Sequence, residues 1–180
     1  FRIGNTGLKS EFEHNVSLML RQITNVSSGL ASGIFLDAKA SYFTSRILNK
    51  SWFDENGIQY SMPFNDSGDY SIYSRLSYDQ PFFKGALYIG NSFNAGYFNN
   101  ISYINGERNI TKRTVIGESA RVSFKSGDFG INASASFNYE QSENSVSSNK
   151  KTKTWRNNIE GSIRYLLPLG IDLRTDLSYQ

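Results

Sequence analysis

The chain has no cysteine and a single histidine. The first absence removes any disulfide framework and any thiolate metal site. The second removes His-based metal clusters and leaves Ser/His/Asp chemistry without partners, so no catalytic residue and no cofactor is assigned. No run approaches the ~18–20 apolar residues of a membrane-spanning helix. Charged residues make up only 19% of the chain, and the net charge of +3 is scattered. Nucleic acid selects a clustered basic stripe, so it is not expected as a partner. The mean hydropathy of −0.45 would suit a soluble protein, but it also suits a membrane β-barrel, whose strands turn every second residue to a polar interior.

What is abundant is aromatic: 13 Phe and 11 Tyr, in a background of Ser, Asn and 15 Gly. The aromatics fall in alternating runs. Phe129, Ile131, Ala133, Ala135, Phe137 and Tyr139 alternate with Asn132, Ser134, Ser136, Asn138 and Glu140. Successive side chains of a strand point to opposite faces, so this stretch reads as a strand with one apolar and one wet face. The pattern recurs around Phe12–Arg21, Ile34–Tyr42, Tyr70–Tyr78, Lys84–Ala95, Ile116–Phe124, Arg156–Leu167 and Ile171–Ser178. That gives about eight strands and no helix. On the predicted apolar face, Glu118, Asn91 and Asn157 are out of character. A bulge would re-aim Glu118, or the register of that strand is different.

The connections are predicted to alternate in length. Asp79–Phe82, Lys125–Asp128 and Pro168–Gly170 are short, the last with Pro and Gly at turn positions. Leu48–Asp69, Asn99–Lys112 and Glu143–Lys153 are long and polar, and the first hairpin, between Gln22 and Ser32, is looser. Short turns on one side and long loops on the other are the habit of transmembrane barrels. Residues 129–143 would extend ~50 Å, or ~35 Å of height when tilted near 45°, enough to cross an outer membrane. Tyr42, Tyr70, Tyr78, Phe83, Phe129, Tyr139, Trp155 and Tyr165 sit toward strand ends, where a membrane interface favours aromatic rings. The fold class expected is therefore an all-β, antiparallel transmembrane β-barrel, with its apolar face on outer-membrane lipid.

The stretch G-N-T-G-L-K-S-E-F from Gly4 resembles the G-N-P-x-L-K-P-E segment of TonB-dependent outer-membrane receptors. N-G-E-R-N-I-T-K-R from Asn105, S-G-D-F-G-I-N-A-S-A-S-F-N-Y from Ser126 and Y-L-L-P-L-G-I-D-L-R-T-D-L-S-Y-Q from Tyr165 are similar to the barrel region of receptors of the Bacteroidetes type. The resemblance covers nearly the whole chain. It implies that residues 1–180 are a portion of one barrel of about 22 strands, without its plug domain and barrel C-terminus. It also implies a Gram-negative outer-membrane location and active uptake of a glycan, peptide or metal chelate. The implied partners are the TonB energy-coupling complex and a surface-exposed lipoprotein, and no enzymatic step is implied.

Candidate site residues follow from these readings. Trp52, Tyr60, Tyr97, Tyr103, Arg108 and Arg113 lie in the predicted outer loops, where aromatics beside cations can stack on sugars or grip anions. As girdle rings and solvated loop charges they would have no ligand. Arg75, Arg121, Arg156, Arg164 and Arg174 lie on the predicted lumen face, either in cross-strand pairs or, as the resemblance implies, against a plug. Arg164 is predicted to sit opposite Arg174, a pair wanting more acceptors than its own hairpin offers. D-E-N-G from Asp54 and N-D-S-G-D from Asn65 carry oxygens suited to Ca²⁺ but lack the full calcium-loop pattern, so no metal site is assigned. Two other classes remain open: a small self-contained barrel with a structural or adhesion role, and a soluble all-β sugar-binding sandwich. A sandwich should bury its apolar faces on each other; a barrel should leave Ile131, Ala133, Ala135 and Phe137 facing outward.

Overall fold

The structure is a computed structural model describing residues 1–26, 30–146 and 150–180. Nine strands form one antiparallel sheet: β1 Phe12–Val26, β2 Leu30–Phe53, β3 Gln59–Asp66, β4 Tyr70–Phe82, β5 Leu87–Ile104, β6 Glu107–Ser126, β7 Phe129–Asn144, β8 Lys151–Leu167 and β9 Ile171–Tyr179. The order is β1-β2-β4-β5-β6-β7-β8-β9, with β3 also paired to β2. β3 and β4 follow one line: both keep the same register against β2, from Phe53↔Gln59 to Gly33↔Asp79. The sheet is open, since among the described residues neither β1 nor β9 pairs along its outer edge.

The period-2 alternation survives as two faces. Residues directly opposite share a face, so the pairs Phe124↔Ile131↔Ile163, Val122↔Ala133↔Gly161 and Leu20↔Leu36↔Leu76↔Phe93 extend one apolar surface across the sheet. The opposite surface carries Ser77↔Ser92↔Ser119↔Ser136↔Asn158 and the charged side chains between them. Serine hydroxyls bridge strands there, Ser41 to Ser71 at 2.8 Å and Ser92 to Ser119 at 2.9 Å.

There is no second layer among the described residues. Among the described residues Ile101 is the one buried hydrophobic side chain, while Ile131 and Phe137 on the apolar face remain 37% and 39% exposed. Glu118 stays on that apolar face. The β6 register runs without a bulge from Ser126 to Thr111, so neither remedy anticipated for Glu118 applies. Instead Asn91 Nδ2 donates to Glu118 Oε1 at 3.2 Å, and Asn157 lies across Phe137 on the same row.

The predicted long loops are strand. β2 runs for 24 residues, and Leu48–Asp69 holds its end, a tight turn and all of β3. Asp54 Oδ1 accepts from the Asn56 and Ile58 N–H groups at 2.9 and 2.8 Å, which closes that turn and commits the carboxylate to the backbone. In Asn99–Lys112, β5 and β6 pair without interruption up to Ile104↔Glu107. The turn is Asn105-Gly106, both with positive φ (50° and 82°), as the type I′ hairpin needs. Within Glu143–Lys153, β7 continues to Asn144 and β8 starts at Lys151; residues 147–149 lie outside the described residues. Asp79–Phe82 also remains strand, and the turn falls at Phe83–Gly85. The hairpin expected to be loose pairs up to Val26↔Leu30, with its tip outside the described residues. Lys125–Asp128 turns at Gly127 (φ 55°), and Pro168–Gly170 turns as expected, with Leu169 and Gly170 both left-handed.

Candidate functional site

The end of the sheet carrying the Asp54, Asn105 and Ser145 turns is where the side chains converge, and a pair of bulges explains why. Gly68 (φ 103°) donates its N–H to Phe43 O at 3.2 Å, and Phe43 N–H donates to Asp69 O at 2.9 Å. That is the geometry of a bulge with glycine in the left-handed position. On its other edge β2 shifts register against β1 between Phe12↔Ser45 and Glu13↔Phe43. The β2 and β3–β4 irregularities compensate, so their mutual register is unchanged above and below.

Above the bulge, the β4–β5 ladder stops at Tyr70↔Asn99 and side chains take over. Tyr103 packs edge-on to Phe64 at 4.6 Å and lies under Lys50 Nζ at 5.7 Å. Asp66 Oδ2 accepts from Tyr103 Oη and Arg108 Nε, both at 2.9 Å, and Arg108 also donates to Ser67 O. Burial pushes the Asp66 carboxyl up, but Arg108, the Ser67 N–H and Tyr103 together hold it below the ordinary carboxylate range. Burial and donation to Asp66 raise the Tyr103 phenol. A carboxylate with a lowered folded pKa contributes stability above its unfolded pKa and loses it as pH falls through the folded one. The expected result is that the β2–β3 tip stays docked at neutral pH and loosens only below the ordinary carboxylate range. Asp66→Asn should cost about 1 kcal/mol at pH 7, a modest figure because Arg108 is 40% exposed. Trp52 emission in a Trp155→Phe background reads the docking; an unchanged acid transition in Asp66→Asn would remove Asp66 from this role.

At the tip itself Trp52, Tyr60 and Phe1 tile side by side, with centroids 6.0 and 5.7 Å apart and planes 20° and 27° apart. The segment 1–11 reaches this place along β3. Ile3 N–H donates to Ser61 O, Asn65 bonds the backbone of Lys9 in both directions, and Glu11 accepts from Ile47 N–H.

The structure therefore divides the six outer candidates. Trp52 with Tyr60, and Tyr103 with Arg108, are brought together on strands rather than loops. Tyr97 lies lower, on the apolar face, against Tyr70 at 6.0 Å. Arg113 lies on the polar face over the Phe98 ring at 4.5 Å and 3.7 Å from Glu140. Of the polar-face arginines, Arg121 covers Tyr88 and stands 3.9 Å from Asp79, and Arg156 stands 3.8 Å from Glu140. Arg164 is indeed opposite Arg174, but each has its own carboxylate: Arg164 on Asp172 in a fork at 2.7–3.0 Å, and Arg174 on Asp176 at 2.9 Å. The expectation that this hairpin lacks acceptors is overturned. Arg75 has no carboxylate within 4.0 Å among the described residues.

The sequence offered Asp69 only as one oxygen of N-D-S-G-D. It is 2% exposed. Its Oδ1 accepts from Arg46 at 2.7 Å and from the Ile101 N–H at 3.0 Å, while Asn99 Nδ2 donates to Gly68 O. The glycine in N-D-S-G-D was the available signal for a bulge. Among the described residues no group of three or more acidic or histidine side chains is placed to hold a metal ion. No family model matches the chain, and no curated protein matches it.

Proposed function

We propose that this sheet is a section of the wall of a transmembrane β-barrel in the outer membrane of a Gram-negative bacterium. The observation that carries this is a single-layer sheet, among the described residues, with one mainly apolar face interrupted by Asn91, Glu118 and Asn157, one mainly Ser/Asn/charged face and both edges open. Such a sheet cannot repay its conformational entropy in water, because nothing covers the apolar side. Lipid on one face, a hydrated lumen on the other and further strands on both edges would satisfy all three demands. From Phe129 to Tyr139 the apolar face of β7 covers about 35 Å along the strand, or about 25 Å of height at a tilt near 45°. Tyr139 packs on Trp155 at 4.3 Å at one border, and Phe129 lies 6.5 Å from Tyr165 at the other. These rings suit the two interfaces of a membrane. The β2–β3 and β5–β6 hairpins then reach beyond the bilayer, as the ligand-binding side of a receptor does.

The transport role rests on the resemblance to TonB-dependent receptors. In that reading the protein imports a scarce nutrient, a glycan, peptide or metal chelate, without transforming it. It draws energy from the TonB complex, with a surface lipoprotein as a further partner. Intact mass and detergent dependence of the natively expressed protein test the proposal. A species several times 20.3 kDa that requires detergent supports a section of a large transporter. A 20.3 kDa species in detergent makes it a small barrel and removes the transport claim. A monodisperse species without detergent overturns the membrane reading.

A further inference from the structure

The register brings five residues into one row on the polar face: Arg75↔Asn94↔Gly117↔Asn138↔Arg156, on five neighbouring strands. The order is symmetric about the glycine. A Cβ at Gly117 would lie 2.7 Å from Asn94 Oδ1 and 2.8 Å from Asn138 Oδ1, so glycine lets both amides turn over it, and a larger residue would push those two side-chain ends aside. Neither amide has another hydrogen-bond partner among the described residues. Beside them opens a notch of about 320 Å³ that includes Asn94, Asn138, Glu140 and Arg156 in its lining. Two arginines share Glu140: Arg113 at 3.7 Å and Arg156 at 3.8 Å, both too long for a hydrogen bond. Arg75 faces Asp37 across the ladder without an ion pair. Three guanidinium groups thus stand against two carboxylates, with two unused amides between them.

We propose that this row is a seat for a carboxylate group. With the Asn94 and Asn138 amides turned to present Nδ2 in place of Oδ1, a carboxylate over Gly117 would accept from both and from the forks of Arg75 and Arg156, which stand about 10 Å to either side at two strand spacings of ~4.8 Å. Glycine favours the seat because a side chain there would push both amides aside and take part of the carboxylate's place. The inference rests on the polar face lining a lumen. The carboxylate has two sources: an acidic solute passing through, or an acidic side chain of a segment of the protein's own chain within the barrel.

The test uses the protein extracted from membranes in detergent, with tri-aspartate as the probe, titrated calorimetrically. If the source is a solute, tri-aspartate binds and is weakened by salt. Arg75→Gln and Arg156→Gln then each reduce affinity about 10- to 100-fold, and Gly117→Ala reduces it about 10-fold with no charge removed. If the source is the chain itself, the probe does not bind, and both Gly117→Ala and the double arginine variant lower the melting temperature more than Arg21→Gln, an off-row control opposite Phe35. Absence of binding together with melting temperatures no lower than the Arg21→Gln control overturns the seat. A protein that is monodisperse without detergent overturns the wall reading instead, so the two failures are distinct.

Discussion

If the sheet is the membrane wall proposed above, arginine in place of Ala135 should remove the protein from the outer-membrane fraction, whereas arginine at Ser134 or Ser136 should leave it there. The three positions are consecutive in β7, and only the face differs. Ala135 lies between Ala120 and Ile159 on the apolar face, midway between the rings of Phe129 and Tyr139. A lipid-facing arginine at mid-depth costs about 2–4 kcal/mol, a shift of roughly 30- to 1000-fold in the folded population. Ser134 lies between Arg121 and Glu160, so an arginine there gains a carboxylate neighbour on the adjacent strand. Ser136 is flanked by Ser119 and Asn158, and room and water serve a charge equally well. The measurement is membrane-fraction yield together with the urea midpoint in detergent. Equal loss at all three positions would show that both faces are buried in protein, and no loss at Ala135 would show that its face meets water; either outcome would end the wall assignment.

The apolar face was legible because strand periodicity is strict. Phe129 through Tyr139 alternate in sequence, and the same set shares a face in the sheet with Ile159, Ile163 and Tyr165. Beyond the apolar band the contrast vanishes. In Leu48–Asp69 and Asn99–Lys112 both faces are polar or mixed, so the period-2 signal fails while the ladder continues. Local turn chemistry was still present there: Asn105-Gly106 specifies a two-residue hairpin, and the Asp54 carboxylate specifies the tip of β2–β3. Those signals outrank loop-like composition, and weighting them would have restored both hairpins.

The site was less legible for a different reason. Docking of Phe64, Asp66 and Lys50 on Tyr103 depends on two bulges that cancel in register, and no pattern in either strand alone reports that cancellation. The Arg75–Arg156 row needs four registers at once. Arg164 and Arg174 were placed correctly, yet their acceptors were misjudged. Arg164 finds Asp172 on the diagonal and Arg174 finds Asp176 two residues along its own strand, and both distances suit a long side chain.

Asp69→Ala should produce the second large loss, about 3 kcal/mol, because one buried carboxylate oxygen serves two donors at the bulge. Its removal leaves the Ile101 N–H without an acceptor in the most buried apolar spot of the sheet, a cost of about 1–3 kcal/mol. It also strands the Arg46 guanidinium. Breaking a fully buried pair costs about 3–5 kcal/mol, but Arg46 is 36% exposed and can reach water, which lowers its share. Asp69→Asn separates the two effects: it retains a carbonyl oxygen for Ile101 N–H and loses only the charge, so about half the loss should return. The consequence should also be local. The β2–β3 hairpin is held to β5–β6 through Asp69 and the side chains just above it, so amides of Arg46–Asp66 should exchange faster while those of β7 and β8 keep their protection. Uniform loosening of all strands would mean that Asp69 stabilises the sheet as a whole. An unchanged exchange pattern would mean that the bulge holds by its backbone bonds alone. The expected local pattern makes Asp69 the joint that couples the β2–β3 tip, with Trp52 and Tyr60, to the rest of the sheet.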